Sequence, residues 1–277
     1  MTARLAALAA LVLAATPTAA AKGVTPPAKK VHKGWPMPAA GPTMSGDPEI
    51  LFTFDDGPNP QTTPAVLDTL AKHHIHAVFF LVGNMVTNKK AAPIIERALR
   101  EGHIIANHTM THQDLCRSTD EVAAREIDDA KHTIEGVAGV TLVWFRTPYG
   151  VRCERVETML GERHLNHFHW DLDPQEWRKH ATVKKAVDYV IKEMGRMTGR
   201  NVLLMHDVKQ VTVEALPQIL DWLDAENERR KAIHKRRIRI IQSYELAVQQ
   251  LPAGLADWLA DIVDDRPLGH AVADVLP

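Results

Sequence analysis

Aromatic residues are scarce in this chain, at 5% of 277 positions, cysteine occurs only twice, and the formal net charge is −1. A balance so close to zero supplies no long-range field of the kind that draws proteins to nucleic acid or to an anionic membrane, and neither is expected as a partner. Two cysteines allow one disulfide at most. Long hydrophobic runs are also missing: the apolar stretch Leu5 to Ala15 is too short to span a bilayer as a helix. What remains is ordinary for a soluble globular protein, with 45% hydrophobic and 24% charged residues. Histidine is the exception. Its 15 copies favour metal chemistry, but they also favour accidental pairs.

The first 21 residues read as a secretory signal, with Arg4, the apolar run, then small residues up to a cleavage point after Ala21. The expected location is therefore secreted, or periplasmic and cell-envelope, with no stable membrane insertion after cleavage. In an oxidising compartment a disulfide can persist. Residues 22–48 are rich in Pro and Gly and read as a linker. Residues 250–277 fit a short helical tail.

Between them, residues 49–249 alternate short apolar runs with amphipathic segments. The runs are ILFTF, HAVFFLV, HIIA, TLVWF, HFHWDL, NVLLMH and IRIIQS. The helical segments include one opened by Ser118 and Glu121 at capping-box spacing. Seven such alternations predict an α/β fold with a mainly parallel sheet. In folds of that class chemistry gathers at the C-terminal ends of the strands.

Polar clusters stand at five successive strand ends. In TFDDGP, Asp55 and Asp56 can reach one site only if the chain turns there, and Gly57 and Pro58 are expected to supply the turn. Two adjacent carboxylates repel unless a cation or proton separates them. In NHTMTH, His108 and His112 share one face if the segment is a helical turn, and with a carboxylate they would make a three-ligand metal site. In RTPYG, Arg146 can hold a carboxylate and the Tyr149 backbone N–H is a free donor. WDLDPQEW brings Asp171, Asp173, Glu176 and Trp177, and LLMHD brings His206, a candidate general acid if a carboxylate orients it. Solvated turns, surface pairs and a structural histidine are the plainer readings of each cluster alone; five in succession favour one shared site.

The ordered set TFDDGP, HTMTH, RTPYG, DPQEW and LLMH resembles the polysaccharide deacetylase (NodB-homology) family, carbohydrate esterase family 4, over roughly Glu49 to Leu246. The resemblance implies a distorted (β/α) barrel of about seven βα units and metal-dependent removal of acetyl groups from amino sugars. It implies Asp56, His108 and His112 as metal ligands and Asp55 as general base, held by Arg146. The Tyr149 N–H would be the oxyanion donor and His206 the general acid, with Trp177 and Leu203 as walls of the acetyl pocket. Zinc is the default metal, with cobalt, nickel, manganese or iron as alternatives. One position departs from the pattern: the family has Asp before the Trp of the fourth motif, and here it is Glu176. Either Glu176 or Asp173 would then orient His206.

The chemistry coheres. An amide is a poor electrophile, a divalent metal activates water and polarises a carbonyl, and a departing amine needs a proton that histidine can give. The expected substrate is an N-acetylglucosamine glycan such as peptidoglycan, chitin oligomers or exopolysaccharide. An O-acetyl esterase of xylan type and a catalytically silent glycan-binding homologue are the alternatives. If the loops carrying Cys116 and Cys153 neighbour each other, a disulfide would brace the site; otherwise both are free thiols. A strand through His167, His169 and Asp171 would put the three on one face, where packing is the favoured role over a second metal site. The basic run Arg229 to Arg239 is expected to be a solvated face rather than a contact for anionic polymer.

Overall fold

The computed structural model describes residues 46–248, so the signal, most of the linker and the C-terminal tail lie outside the described residues. Seven strands are present among them: β1 Glu49–Asp55, β2 Val78–Leu81, β3 Ile104–Asn107, β4 Trp144–Phe145, β5 Asn166–His167, β6 Arg200–His206 and β7 Arg239–Ile240. Eight helices accompany them: α1 Thr63–Lys72, α2 Gly83–Val86, α3 Ala91–Arg100, α4 Asp120–Ala138, α5 Glu154–Glu162, α6 Val183–Arg196, α7 Gln210–Ala232 and α8 Ser243–Val248. All strand pairs are parallel, in the order β5-β4-β3-β2-β1-β6. β6 covers one edge of β1 along all seven residues, while β7 takes the first two residues of its other edge and β2 the last three.

The sheet curls until its two ends meet. Just past β5, the N–H groups of Asp171 and Leu172 donate to Val202 O, and Leu172 bridges Leu203 of β6. That explains why HFHWDL is not one strand. Its start bonds β4 through the Phe168 N–H to Phe145 O, and its end bonds β6, so the segment must bend between neighbours. The expected strand TLVWF likewise pairs only at Trp144 and Phe145.

Alternation along β1 and β6 sets what each face does. Phe52, Phe54, Leu203 and Met205 pack outward with Leu67 and Leu70 of α1 and Leu216 and Ile219 of α7. Thr53 and Asp55 face inward, where both accept hydrogen bonds from Arg146. Each fully buried Leu or Phe of the outer layer contributes about 1.5–3 kcal/mol relative to exposure. The register therefore assigns adhesion to one face and chemistry to the other.

The cap of α4 differs from expectation by one residue. Thr119, not Ser118, is the N-cap and accepts from the Val122 N–H, while Ser118 Oγ donates to Leu115 O. The helix closes at Gly139 in the left-handed region, φ 69°. α5 was not expected from the sequence: only Val156 and Leu160 of its nine residues are buried, too sparse a pattern to show a helical period.

Candidate active site

β1 ends in Asp55, and the turn is made by Asp56 itself, whose φ of 77° is left-handed. That reversal, rather than Gly57 and Pro58, brings both carboxylates to His108: an oxygen of each lies 3.6 Å from His108 Nε2. Gly57 answers a different need, since a Cβ there would overlap the Asp207 carboxylate.

His108 and His112 do not lie on a helical turn. They sit on an irregular loop after β3, with left-handed φ at Thr109 (67°) and His112 (61°). A β-branched residue in that region is strained and must be held there. Asn107 holds it, accepting the Thr109 N–H through its side chain and donating to Ile127 O of α4. Glu126, also on α4 and buried, accepts from the Thr111 N–H and hydroxyl. The rings reach one point all the same: His112 Nε2 lies 3.3 Å from Asp56 Oδ1.

One ligand atom from each of Asp56, His108 and His112 falls within 4.8 Å of the others, the one such group of three among the described residues. His108 Nδ1 donates to Arg146 O at 2.7 Å, which fixes the tautomer and leaves the Nε2 lone pair facing the cluster. Burial pushes the His108 pKa down to about 3, so the ring is neutral. Asp56 Oδ1 is buried without a hydrogen-bond partner. A neutral imidazole lone pair and an unpartnered carboxylate oxygen fit a divalent cation, and three protein ligands leave positions open for substrate.

Arg146 is fully buried. Its NH1 donates to Asp55 Oδ1 at 2.6 Å and to Thr53 Oγ1 at 3.0 Å, its Nε and NH2 donate to Phe168 O and His169 O, and its guanidinium lies 4.0 Å from the Phe80 ring centre. Asp55 is thus fixed by one oxygen, and the other points to the cluster. Tyr149, at φ 60°, sets its ring edge against His112 with centroids 4.8 Å apart. Its N–H has no backbone acceptor among the described residues. Cys116 and Cys153 are joined with Cα atoms 6.0 Å apart, tying the loop after the histidines to the loop after Tyr149.

Across the cavity stands His206, paired in register with Asp55. Its Nδ1 lies 2.9 Å from Glu176 Oε1, which also accepts the His206 N–H at 2.7 Å and the Thr212 hydroxyl at 3.2 Å. Glu176, not Asp173, is therefore the residue that orients His206; Asp173 accepts the Gln175 N–H instead. Burial opposes a charge on His206, but the Glu176 hydrogen bond and carboxylate, with Asp55 and Asp56, outweigh it and raise the pKa to about 9. Trp177, 44% exposed, turns its ring edge toward His206 with centroids 6.5 Å apart. Leu203 is a correction. It packs in the outer layer, and by strand alternation Leu204 shares the His206 face.

Sequence reading missed three other residues around the cavity. Asn107 and Glu126 shape the histidine loop. Asp207 is fully buried, bonded to the Thr63 hydroxyl through one oxygen and unpartnered at the other. The only signal for Asp207 was its place beside His206 at a strand end. His167, His169 and Asp171 do not converge on a second metal site: His167 bonds Glu157 and Thr147, His169 bonds Gly150 O, and Asp171 accepts the Val202 N–H.

A curled parallel barrel with an Asp–His–His cluster, a clamped carboxylate and an oriented histidine at its strand ends defines a class of carbohydrate-active hydrolases. Residues 44–167 match the family model described as polysaccharide deacetylase. The chain is 35% identical over 166 residues to a chitooligosaccharide deacetylase of Bradyrhizobium sp. (strain ANU 289), covering 59% of this chain and 73% of that protein. It is 34% identical over 174 residues to the peptidoglycan-N-acetylmuramic acid deacetylase PdaC of Bacillus subtilis (strain 168), covering 63% of this chain but 35% of that longer protein. A family 4 acetyl xylan esterase from Clostridium thermocellum, solved with a cobalt ion, superposes with a TM-score of 0.61 at 27% identity, covering 72% of this chain and 89% of the other. The chain belongs to the polysaccharide deacetylase family.

Proposed function

We propose that the protein is a secreted, metal-dependent deacetylase that hydrolyses N-acetyl groups of N-acetylglucosamine-containing glycans. One observation carries the reading: the Asp56–His108–His112 cluster lies between a carboxylate clamped by a buried arginine and a histidine clamped by a buried glutamate. Asp56, His108 and His112 would hold the metal, zinc by default. Bound there, a divalent cation supplies Lewis-acid activation of water and of the acetyl carbonyl.

The remaining steps belong to the chain's own side chains. Asp55, immobilised by Arg146, takes a proton from the attacking water through the oxygen that faces the cluster. The Tyr149 N–H stabilises the oxyanion, a contribution of about 3 kcal/mol for one such donor. His206, whose pKa the Glu176 hydrogen bond and carboxylate raise, gives its proton to the leaving amine as the carbon–nitrogen bond breaks, releasing acetate. Trp177 and Leu204 border the acetyl group. The Glu176 contact argues against a silent homologue, because the longer side chain still reaches Nδ1 at 2.9 Å.

Secretion is supported by the N-terminal pattern and by the disulfide, which suits an oxidising compartment. Among the described residues no helix is long and apolar enough to cross a membrane. Chitin oligomers and peptidoglycan are the favoured substrates because the relatives above are named for them. Acetylated xylan is the second reading, carried by the likeness to the esterase.

The test is acetate release by the full chain from N-acetylglucosamine oligomers, peptidoglycan and acetylated xylan. Release that a chelator stops and zinc restores is expected from the first two. Undiminished release after chelation would refute the metal role, and release from xylan alone would select the esterase.

A further inference from the structure

Beside Trp177 the chain forms a cleft of about 370 Å³, lined by the loop 174–182 and the first turn of α6. Gln175, Arg178, Lys179, His180 and Lys185 contribute to its walls, and no Asp or Glu does. The protein as a whole carries a formal charge of −1, so this concentration of cations is local.

The basic run Arg229 to Arg239 offers a contrast. In the basic run 229–239, every arginine has an acidic partner: Arg229 and Arg230 share Glu226, Arg236 pairs with Asp47, Arg237 with Glu228 and Arg239 with Glu49 and Glu245. That run is partly structural, with Arg230 buried against Glu226. Arg178, Lys179 and Lys185 form no ion pair among the described residues. Three acids close in sequence are engaged elsewhere, Asp173 with the Gln175 N–H, Glu176 with His206 and Asp188 with Lys184. Unpaired cations around a concave surface repel one another and concentrate anions.

The cleft is also coupled to the active site. Arg178 stacks over Trp177 at 5.2 Å, and Trp177 meets His206 edge-on. The same loop carries Glu176 on its buried side. Through Arg178 the cleft therefore adjoins Trp177, which the reading above sets beside the acetyl group.

We propose that the cleft binds an anionic substituent of the substrate glycan, a carboxylate or a phosphate, and so selects charged over neutral polymers. This rests on the glycan deacetylase reading above. Three substrates of equal length test it: an N-acetylglucosamine oligomer, an alternating glycan whose muramyl units carry lactyl carboxylates, and a phosphorylated oligomer. For each, kcat/KM is measured at low and at physiological salt, for the parent and for Lys179→Gln/Lys185→Gln. The parent should favour at least one anionic glycan over the neutral one, and salt should erode the preference. The double variant should lower the anionic-to-neutral ratio about three- to tenfold, the size expected for two partly exposed charge pairs. Which anionic glycan loses more distinguishes carboxylate from phosphate. A ratio that neither salt nor the variant moves would overturn the proposal. Should no glycan be turned over, the deacetylase reading fails separately. Calorimetric binding of the same three glycans then decides the cleft: equal affinities in parent and variant would overturn it.

Discussion

At the scale of single residues, the site rests on two buried acid–base contacts whose failures would look different. Arg146 and Asp55 are both almost fully buried and joined at 2.6 Å. Asp55→Asn keeps the shape and removes the proton acceptor, so kcat should fall on the order of 10²–10⁴-fold while zinc content holds; it also leaves Arg146 buried without its counter-ion, at a stability cost that the remaining hydrogen bonds to Thr53, Phe168 and His169 reduce. Arg146→Ala leaves a buried carboxylate without its counter-ion and should cost roughly 3–5 kcal/mol of stability, read by denaturant titration. An Asp55→Asn protein that keeps its kcat would mean that Asp55 is a structural carboxylate. Glu176 acts on the other side. It is the main support for the raised His206 pKa of about 9, so Glu176→Gln should move the alkaline limb of the kcat/KM profile down toward the ordinary histidine value. A bound dication lowers that pKa in parent and variant alike, which makes the comparison between them at equal zinc occupancy the informative one. An unmoved limb would show that another group gives the proton.

At the scale of elements, the histidine loop and the strand register decide which residues meet. The loop is held in left-handed turns by groups on α4, chiefly the Glu126 carboxylate on Thr111. Glu126→Ala should therefore weaken zinc binding about 10–100-fold in a chelator competition, although Glu126 touches no ligand; unchanged affinity would show that the loop holds its shape unaided. This is also where sequence reading reached its limit. Asp55, Asp56, His108, His112, Arg146 and His206 were legible as candidates because each lies in a short motif whose chemistry needs that residue type, whereas the choice between Glu176 and Asp173 needed the structure. The alternation of apolar runs and amphipathic segments likewise predicted a parallel α/β sheet, and the seven strands follow it. Glu126 was not legible, because its role depends on amides 15 residues away in a loop mistaken for a helical turn. Leu203 was misplaced because motif order says nothing of parity: one step along β6 moves a side chain from the cavity to the outer core. The helix α5 has too few buried positions to declare itself, yet with Leu115 and Phe145 it builds the cluster behind the disulfide.

At the scale of the whole molecule, burying this many titratable groups makes stability a function of pH, and the signs can be followed for the metal-free chain. His103 and His108 are forced by burial to pKa values of about 3. The unfolded chain binds more protons at these positions between pH 3 and 6.5, so they remove stability as pH falls through that window. His103 shows the structural reason, since its Nδ1 accepts the Ala77 N–H and cannot do so once protonated. Asp207 has the opposite sense. Burial raises it to about 7, so its folded form holds a proton that the unfolded form loses above the usual carboxylate value. Stability is lost there as pH rises from about 4 to 7. His206, raised to about 9, contributes stability that is complete below pH 6.5 and lost as pH rises to 9. Below pH 6.5 the lowered histidines, His76 and His169 included, outnumber the raised acids Asp207 and Asp173; above it the loss at His206 remains as pH rises. Metal-free protein should therefore be most stable near pH 6.5, with each net proton changing stability by up to about 1.4 kcal/mol per pH unit. Asp207→Asn separates these contributions. It keeps the size of the side chain and removes the charge, so urea titrations should show a gain that is absent at pH 4 and grows to its full size by pH 7. A gain of equal size at both values would mean that it does not come from removing a charge, and the alkaline side of the profile would then belong to His206 alone.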